Sequence, residues 1–221
     1  MENKEKSKSK VKSVFNILLD IFLVLLIILA GFFAYFKICY DEAYVIGPSM
    51  YPTLNANENK QDIVAINTKA DFTYGDIVTA TTEKKDSKGN AIVIIKRVIA
   101  LEGDYIDLQY NENDELIVLL NGEELDEPYI IEKAKKEDSP VCYQNWQEYK
   151  ASASDRINAE KGLLLGKNEV FLMGDNRQVS NDSTIMGPFK KSAIQGKVDF
   201  VFHKGENDFF MFMKKVIFKS E

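Results

Sequence analysis

Residues 14–36 read VFNILLDIFLVLLIILAGFFAYF, 23 residues whose only charge is Asp20 and whose last sixteen, from Ile21 onward, carry none. At about 1.5 Å of rise per residue, a helix of this stretch is roughly 35 Å long, enough to cross a hydrocarbon core of about 30 Å. A transmembrane helix is therefore predicted over 14–36. Asp20 lies close enough to the near end to reach toward headgroups, and no mechanism is assigned to it. Ahead of the run, MENKEKSKSKVK sets five lysines against Glu2 and Glu5, a local excess of three positive charges. By the positive-inside rule this leader, residues 1–13, stays in the cytoplasm. Taking that excess from the formal charge of −6 leaves −9 on residues 13–221. The body of the chain is thus acidic and extracytoplasmic, without the basic surface that nucleic acid requires. A cleaved secretory leader shares the basic and apolar regions, but its apolar core spans ~7–15 residues and ends at small side chains. Here Lys37, Tyr40, Asp41 and Glu42 follow the run, as suits a retained anchor.

Beyond the anchor, short apolar runs separated by Gly, Asn and Asp predict strands at 43–46, 63–67, 77–82, 91–101, 105–109, 116–120, 169–173 and 196–202. Asn121-Gly122 marks a tight hairpin because both residues accept positive φ, and Asp86 to Asn90 is similar turn material. Residues 132–161 are polar, lack a period of two and contain Pro140, which reads as an insertion or cap with a short helix near Gln144 to Ala151. The apolar stretch DFFMFMKKVIF at 208–218 is too short for a second span and reads as an edge strand or surface patch, with a membrane-dipping role as the alternative. The two cysteines, Cys39 and Cys142, do not make a disulfide framework and read as small buried apolar groups.

His203 is the only histidine, and Cys-x-x-Cys, His-Glu-x-x-His and glycine-rich phosphate loops are absent. A zinc site built on several histidines is excluded, and no metal or cofactor is indicated. His203 sits in strand-like FVFHKG and reads as an edge or core residue. Three segments carry chemistry instead. GPSMYPTL at 47–54 fixes Ser49 in a turn stiffened by a glycine and two prolines, where backbone N–H groups can face a developing oxyanion, although a plain turn containing a serine reads the same way. In AIVIIKRVIAL at 91–101, Lys96 shares a strand face with Ile92, Ile94 and Val98, while Arg97 projects with Val93, Ile95 and Ile99. Burial among isoleucines disfavours the ammonium and yields a neutral amine able to act as a base; a lysine guarding a sheet edge is the alternative. Third, MGDNRQVSNDS at 173–183 places dense polar groups directly after an apolar strand, as a site-bearing loop or an elaborate turn.

In this order behind an anchor, GPSMYPTL, KRVIALEGD (96–104) and GDNRQVSNDS (174–183) resemble the three boxes of the bacterial type I signal peptidases, membrane-bound Ser-Lys proteases that remove leader peptides from exported proteins. The resemblance implies Ser49 as nucleophile and Lys96 as general base, with the backbone N–H groups of Ser49 and Gly47 as oxyanion donors. It also implies that Ser180 hydrogen-bonds and orients the lysine, that Asp175 and Asp182 support the site, and that Arg177 belongs to the same network. Met50, Leu54 and Ile95 are placed to line shallow pockets that admit only small side chains. The family's third box commonly ends Ser-x-Asp-Ser-Arg, whereas this chain has Thr184 in the arginine position, and Arg177 is the expected substitute. The implied fold is mostly β: an extracytoplasmic catalytic sheet domain of residues 41–104 and 169–205, an inserted smaller cap at 105–168 and a tail at 206–221. The implied partners are preproteins with N-terminal signal peptides and the lipid bilayer. An anchored pilus-assembly relative would lack the serine or the lysine, and a self-cleaving repressor would not carry the transmembrane helix.

Overall fold

The computed structural model describes residues 2–55, 61–137 and 140–202. His203, the 206–221 tail and the side chain of Cys142 lie outside the described residues. Helix α1, Glu2–Cys39, is continuous from the lysine-rich leader through the apolar run, and Ser13–Cys39 is long and apolar enough to cross a membrane. Its large apolar side chains from Val14 to Leu29 are all exposed, so the protein itself offers them no burial. The helix outruns the predicted 14–36 at both ends because neither the Lys-, Glu- and Ser-rich leader nor Lys37, Ile38 and Cys39 supplies a breaker.

The chain then forms β1 (Tyr40–Tyr44), β2 (Ile63–Asn67), β3 (Ile77–Lys85), β4 (Ala91–Ala100), β5 (Tyr105–Tyr110), β6 (Leu116–Leu120) and β7 (Glu123–Glu124). After α2 (Pro140–Ser152) come β8 (Ile157–Asn158), β9 (Gly162–Leu164), β10 (Glu169–Met173), α3 (Ser183–Met186), β11 (Phe189–Lys190) and β12 (Ile194–Phe202). Two sheets result. The larger has the order β1-β2-β12-β3-β4-β10-β11 and the smaller β7-β6-β5-β9-β8. Every pairing in both is antiparallel.

The larger sheet assembles strands from both sides of the insertion, and the sheets meet in one core. Ile99, Phe171 and Met173 of the larger sheet pack with Ile106, Leu108 and Leu163 of the smaller, around fully buried Trp146 from α2. Trp146 keeps its indole N–H satisfied on Asp107 at 3.2 Å, and Lys150 reaches the same carboxylate oxygen at 2.6 Å. The segment predicted to be a polar cap therefore supplies the largest buried side chain. Its helix is longer than Gln144 to Ala151 because Pro140 begins it at the first position, where a missing N–H costs nothing.

Two further differences are local. β1 starts at Tyr40, three residues before the predicted strand, because it pairs with β2 along all five residues. β12 starts at Ile194, two residues earlier than predicted, through a register shift between Ile194 and Gly196. Gly196 makes that passage possible: a Cβ there would stand 2.6 Å from the Asn67 carbonyl oxygen.

Candidate active site

Ser49 sits in the turn that follows β1, and the turn is fastened at both ends. Asn55, at φ 56°, exchanges two hydrogen bonds with Asp62: its N–H donates to the carboxylate at 2.7 Å and its side-chain oxygen accepts from the Asp62 N–H at 2.8 Å. The Asn55 amide also donates to the carbonyls of Val45 at 3.0 Å and Gly47 at 3.3 Å, so it closes the loop around the serine. Gly47 adopts φ 84°, a conformation that side chains rarely take, and so lets the chain turn into the serine. On the far side, the Asn176 N–H donates to the Ser49 carbonyl at 3.1 Å. Ser49 is held between two loops.

Met50 and Leu54 are not in the wall of the cavity beside Ser49. Both have no exposed surface and pack with Val45, Val64 and Ile66, since the turn rotates its apolar side chains inward onto β2. Ile95 does line a pocket of about 420 Å³, between residues 43–46 and residues 92–95 of β4, with Ser49 and Lys96 in its wall.

Lys96 is 3% exposed, and its Nζ lies 2.7 Å from Ser49 Oγ while donating to the Ile95 carbonyl at 2.8 Å. Burial lowers its pKa from the ordinary lysine value, and the negative charges of Asp182 and Asp175 oppose that shift. Both carboxylates are already engaged. Asp175 is clamped by Arg97 through Nε at 2.8 Å and Nη2 at 2.6 Å, and accepts a short hydrogen bond from the Thr53 hydroxyl. Asp182 accepts from the Gly174 N–H at 2.8 Å, the Thr184 N–H at 3.0 Å and the Thr184 hydroxyl at 2.9 Å, capping α3. A carboxylate that is paired or hydrogen-bonded pulls less on a neighbouring ammonium than a bare one does.

Two expectations for the third box are corrected. Ser180 is buried, but its hydroxyl has no hydrogen-bond partner among the described residues; Lys96 Nζ is directed instead to Ser49 and the Ile95 carbonyl. Arg177 does not take over from the absent arginine. Its Nε donates to the Gly174 carbonyl at 3.0 Å, and its Nη atoms form a bidentate pair with Glu127, at 2.8 Å through Nη1. The aspartates are served by Arg97 and by Thr184, which occupies the arginine position and donates both N–H and hydroxyl.

Several residues escaped the sequence reading. Tyr129 donates to Glu127 at 2.7 Å, and its ring lies under the Arg97 guanidinium at 4.0 Å, so residues 127–129 of the insertion link the partners of Asp175 and Gly174. Gly174 is the other omission: a Cβ there would meet Ser180 Oγ at 2.2 Å and the Ser49 carbonyl oxygen at 2.4 Å. For Arg97 a signal existed, because a guanidinium on a strand face among Val93, Ile95 and Ile99 needs a carboxylate partner. Nothing around Glu127-Pro128-Tyr129 announces its role.

Comparison with known proteins completes the assignment. The family model for signal peptidase, peptidase S26, matches residues 16–203. Signal peptidase I S of Bacillus subtilis (strain 168) is 32% identical over 163 residues, covering 72% of this chain and 76% of that one. Signal peptidase IB of Staphylococcus aureus (strain COL) is 33% identical over 158 residues, covering 71% and 74%. A crystal structure of a signal peptidase I from Enterococcus faecalis V583 overlaps 58% of this chain and 97% of its own, at 22% identity and a TM-score of 0.34. On the family match and the curated relatives, the chain belongs to the signal peptidase, peptidase S26, family and is a hydrolase of the serine protease type.

Proposed function

We propose that the chain removes signal peptides from exported preproteins with a Ser49–Lys96 dyad, anchored by α1 with its N-terminus in the cytoplasm and its sheets outside. The observation that carries the chemistry is the 2.7 Å approach of a buried lysine nitrogen to a serine hydroxyl. Neutral Lys96 accepts the Ser49 proton as Oγ attacks the scissile carbonyl, and the resulting ammonium returns it to the leaving amine. Water then attacks the acyl-enzyme with Lys96 again taking a proton, and Ser49 is regenerated. The N–H groups of Ser49 and Gly47 serve the oxyanion. Asp175, Asp182 and Arg177 hold the loop that carries them.

The substrate lies extended in the groove between residues 43–46 and 92–95. β1 is an edge strand, and β10 pairs with β4 only at Arg97, Val98 and Ala100, so both walls offer backbone for an added strand. Ile95 limits the depth available to a side chain beside Ser49, which favours small residues at the cut. The bilayer is the second partner, through the exposed apolar surface of α1; the acidic body gives nucleic acid no purchase. The test is release of the leader from a preprotein in detergent by wild type, Ser49→Ala and Lys96→Ala at equal folded concentration. Cleavage by wild type alone is expected; an active Lys96→Ala would overturn the choice of base.

A further inference from the structure

We infer that Tyr129 is a positioning residue: through Arg97 it fixes the loop of residues 174–176 against the Ser49 turn, so that the insertion helps to set the distance between Ser49 and Lys96. The inference rests on the Ser49–Lys96 reading above. Consecutive residues of that loop are held one by one. The Gly174 carbonyl accepts from Arg177 Nε at 3.0 Å, Asp175 is clamped by Arg97, and the Asn176 N–H donates to the Ser49 carbonyl at 3.1 Å. Both arginines end on the same short turn of the insertion. Arg177 forms its bidentate pair with Glu127, and the Arg97 guanidinium carbon stands 4.0 Å from the centroid of the Tyr129 ring.

The turn is built to present these two side chains together. Glu127 and Tyr129 flank Pro128, whose ring fixes φ. The Ile130 N–H closes the turn on the Glu127 carbonyl at 3.2 Å, and the Leu125 N–H ties its base to the Val118 carbonyl of β6 at 2.9 Å. The Tyr129 ring packs on the core around Trp146, and its hydroxyl donates to Glu127 at 2.7 Å. Burial and the Glu127 charge push the Tyr129 pKa up, which keeps the hydroxyl a neutral donor.

The ring acts on a guanidinium that has several acceptors to choose from. Arg97 reaches the Gly75 carbonyl at 2.7 Å and the Thr53 hydroxyl at 3.4 Å as well as both oxygens of Asp175. The negative face of the ring attracts the cation and keeps water off one side of it, which strengthens the pairing with Asp175. Without the ring, water enters and the fork loosens. Asp175, which acts on Lys96 together with Asp182, then presents more of its charge to the amine, and the loop that braces Ser49 is freed to shift.

The experiment uses the full-length chain in detergent and a soluble peptide with one cleavage site. Tyr129→Leu is expected to lower kcat about tenfold with KM within about twofold, because the displacement is smaller than the ~1 Å that costs roughly 10²-fold. It is also expected to move the rising limb of the pH profile upward, as Arg97→Ala does. Tyr129→Phe keeps the ring over the cation, and is expected to stay within about threefold of wild type with the limb unmoved. In the Arg97→Ala background, adding Tyr129→Leu is expected to change kcat by less than about twofold, since the ring acts through the guanidinium. Should Tyr129→Leu fail to fold, Tyr129→Met fills the volume without a ring and is held to the same criterion. A limb that stays in place in Tyr129→Leu, one that moves equally in Tyr129→Phe, or additive losses in the double variant overturns the inference. Failure of the underlying reading looks different: peptide cleavage surviving Ser49→Ala or Lys96→Ala.

Discussion

Gly174 offers the most demanding test of the site geometry, because it touches both loops without taking part in the chemistry. In Gly174→Ala the new methyl would stand 2.2 Å from Ser180 Oγ, 2.6 Å from Ser180 Cβ and 2.4 Å from the Ser49 carbonyl oxygen. Contacts between carbon-sized atoms are most favourable near 3.5 Å, so the two loops must part by about an ångström. Ser180 can move its side chain, but the Ser49 contact is backbone. Relief there carries Ser49 away from Lys96, at present 2.7 Å distant. A misplacement of about 1 Å costs on the order of 10²-fold in rate, and overpacking costs about 1–3 kcal/mol in stability. The assay is kcat/KM on a soluble peptide alongside thermal unfolding. Gly174→Ala/Ser180→Gly relieves the serine side-chain clash alone and is expected to remain at least tenfold impaired, since the clash with the Ser49 carbonyl persists. Activity within threefold of wild type in Gly174→Ala would refute the claim that Gly174 sets the Ser49 position.

Three further outcomes follow from the charges. Arg97→Ala bares Asp175, whose charge raises the proton affinity of Lys96, so the rising limb of the kcat/KM pH profile moves to higher pH; Asp175→Asn removes that charge and moves it lower. Shifts of the same sign in both variants would contradict the electrostatic reading. Glu127→Ala leaves Arg177, 3% exposed, without its carboxylate, and removing one partner of a buried pair costs about 3–5 kcal/mol, a fall in Tm on the order of 10 °C by calorimetry. Lys96→Met is expected to abolish cleavage yet raise Tm near neutral pH. Because the folded chain holds the Lys96 proton less tightly than the unfolded chain does, the lysine lowers stability below its ordinary pKa of about 10.4 and the loss fades as pH rises toward that value. A Tm gain that grows with pH would contradict the sign.

The long apolar helix was legible because an uncharged run of this length carries no breaker, and the central strands because alternation and Asn-Gly turns are local signals. Lys96 and Arg97 leave β4 toward different partners, as a period of two requires. What escaped depends on contacts distant in sequence. Arg97 meets Asp175 across 78 residues and Arg177 meets Glu127 across 50, and no local pattern encodes either meeting. Met50 and Leu54 lie close to Ser49 in sequence, but which way a turn rotates its side chains depends on the strand beneath it. Thr184 looked like a lost arginine. In the fold its backbone N–H and hydroxyl donate to Asp182, which caps α3, while Arg97 serves the other aspartate. Trp146 was hidden in a polar segment because α2 meets the core through Tyr143, Trp146 and Tyr149 while Gln, Asn and Glu fill the positions between them.

The pH dependence of kcat/KM for wild type on a soluble peptide tests most directly whether a neutral Lys96 activates Ser49. The account predicts a rising limb well below the ordinary lysine pKa of about 10.4, with no measurable cleavage in Lys96→Ala at any pH. A limb at the ordinary lysine value, or the same limb persisting in Lys96→Ala, would contradict it.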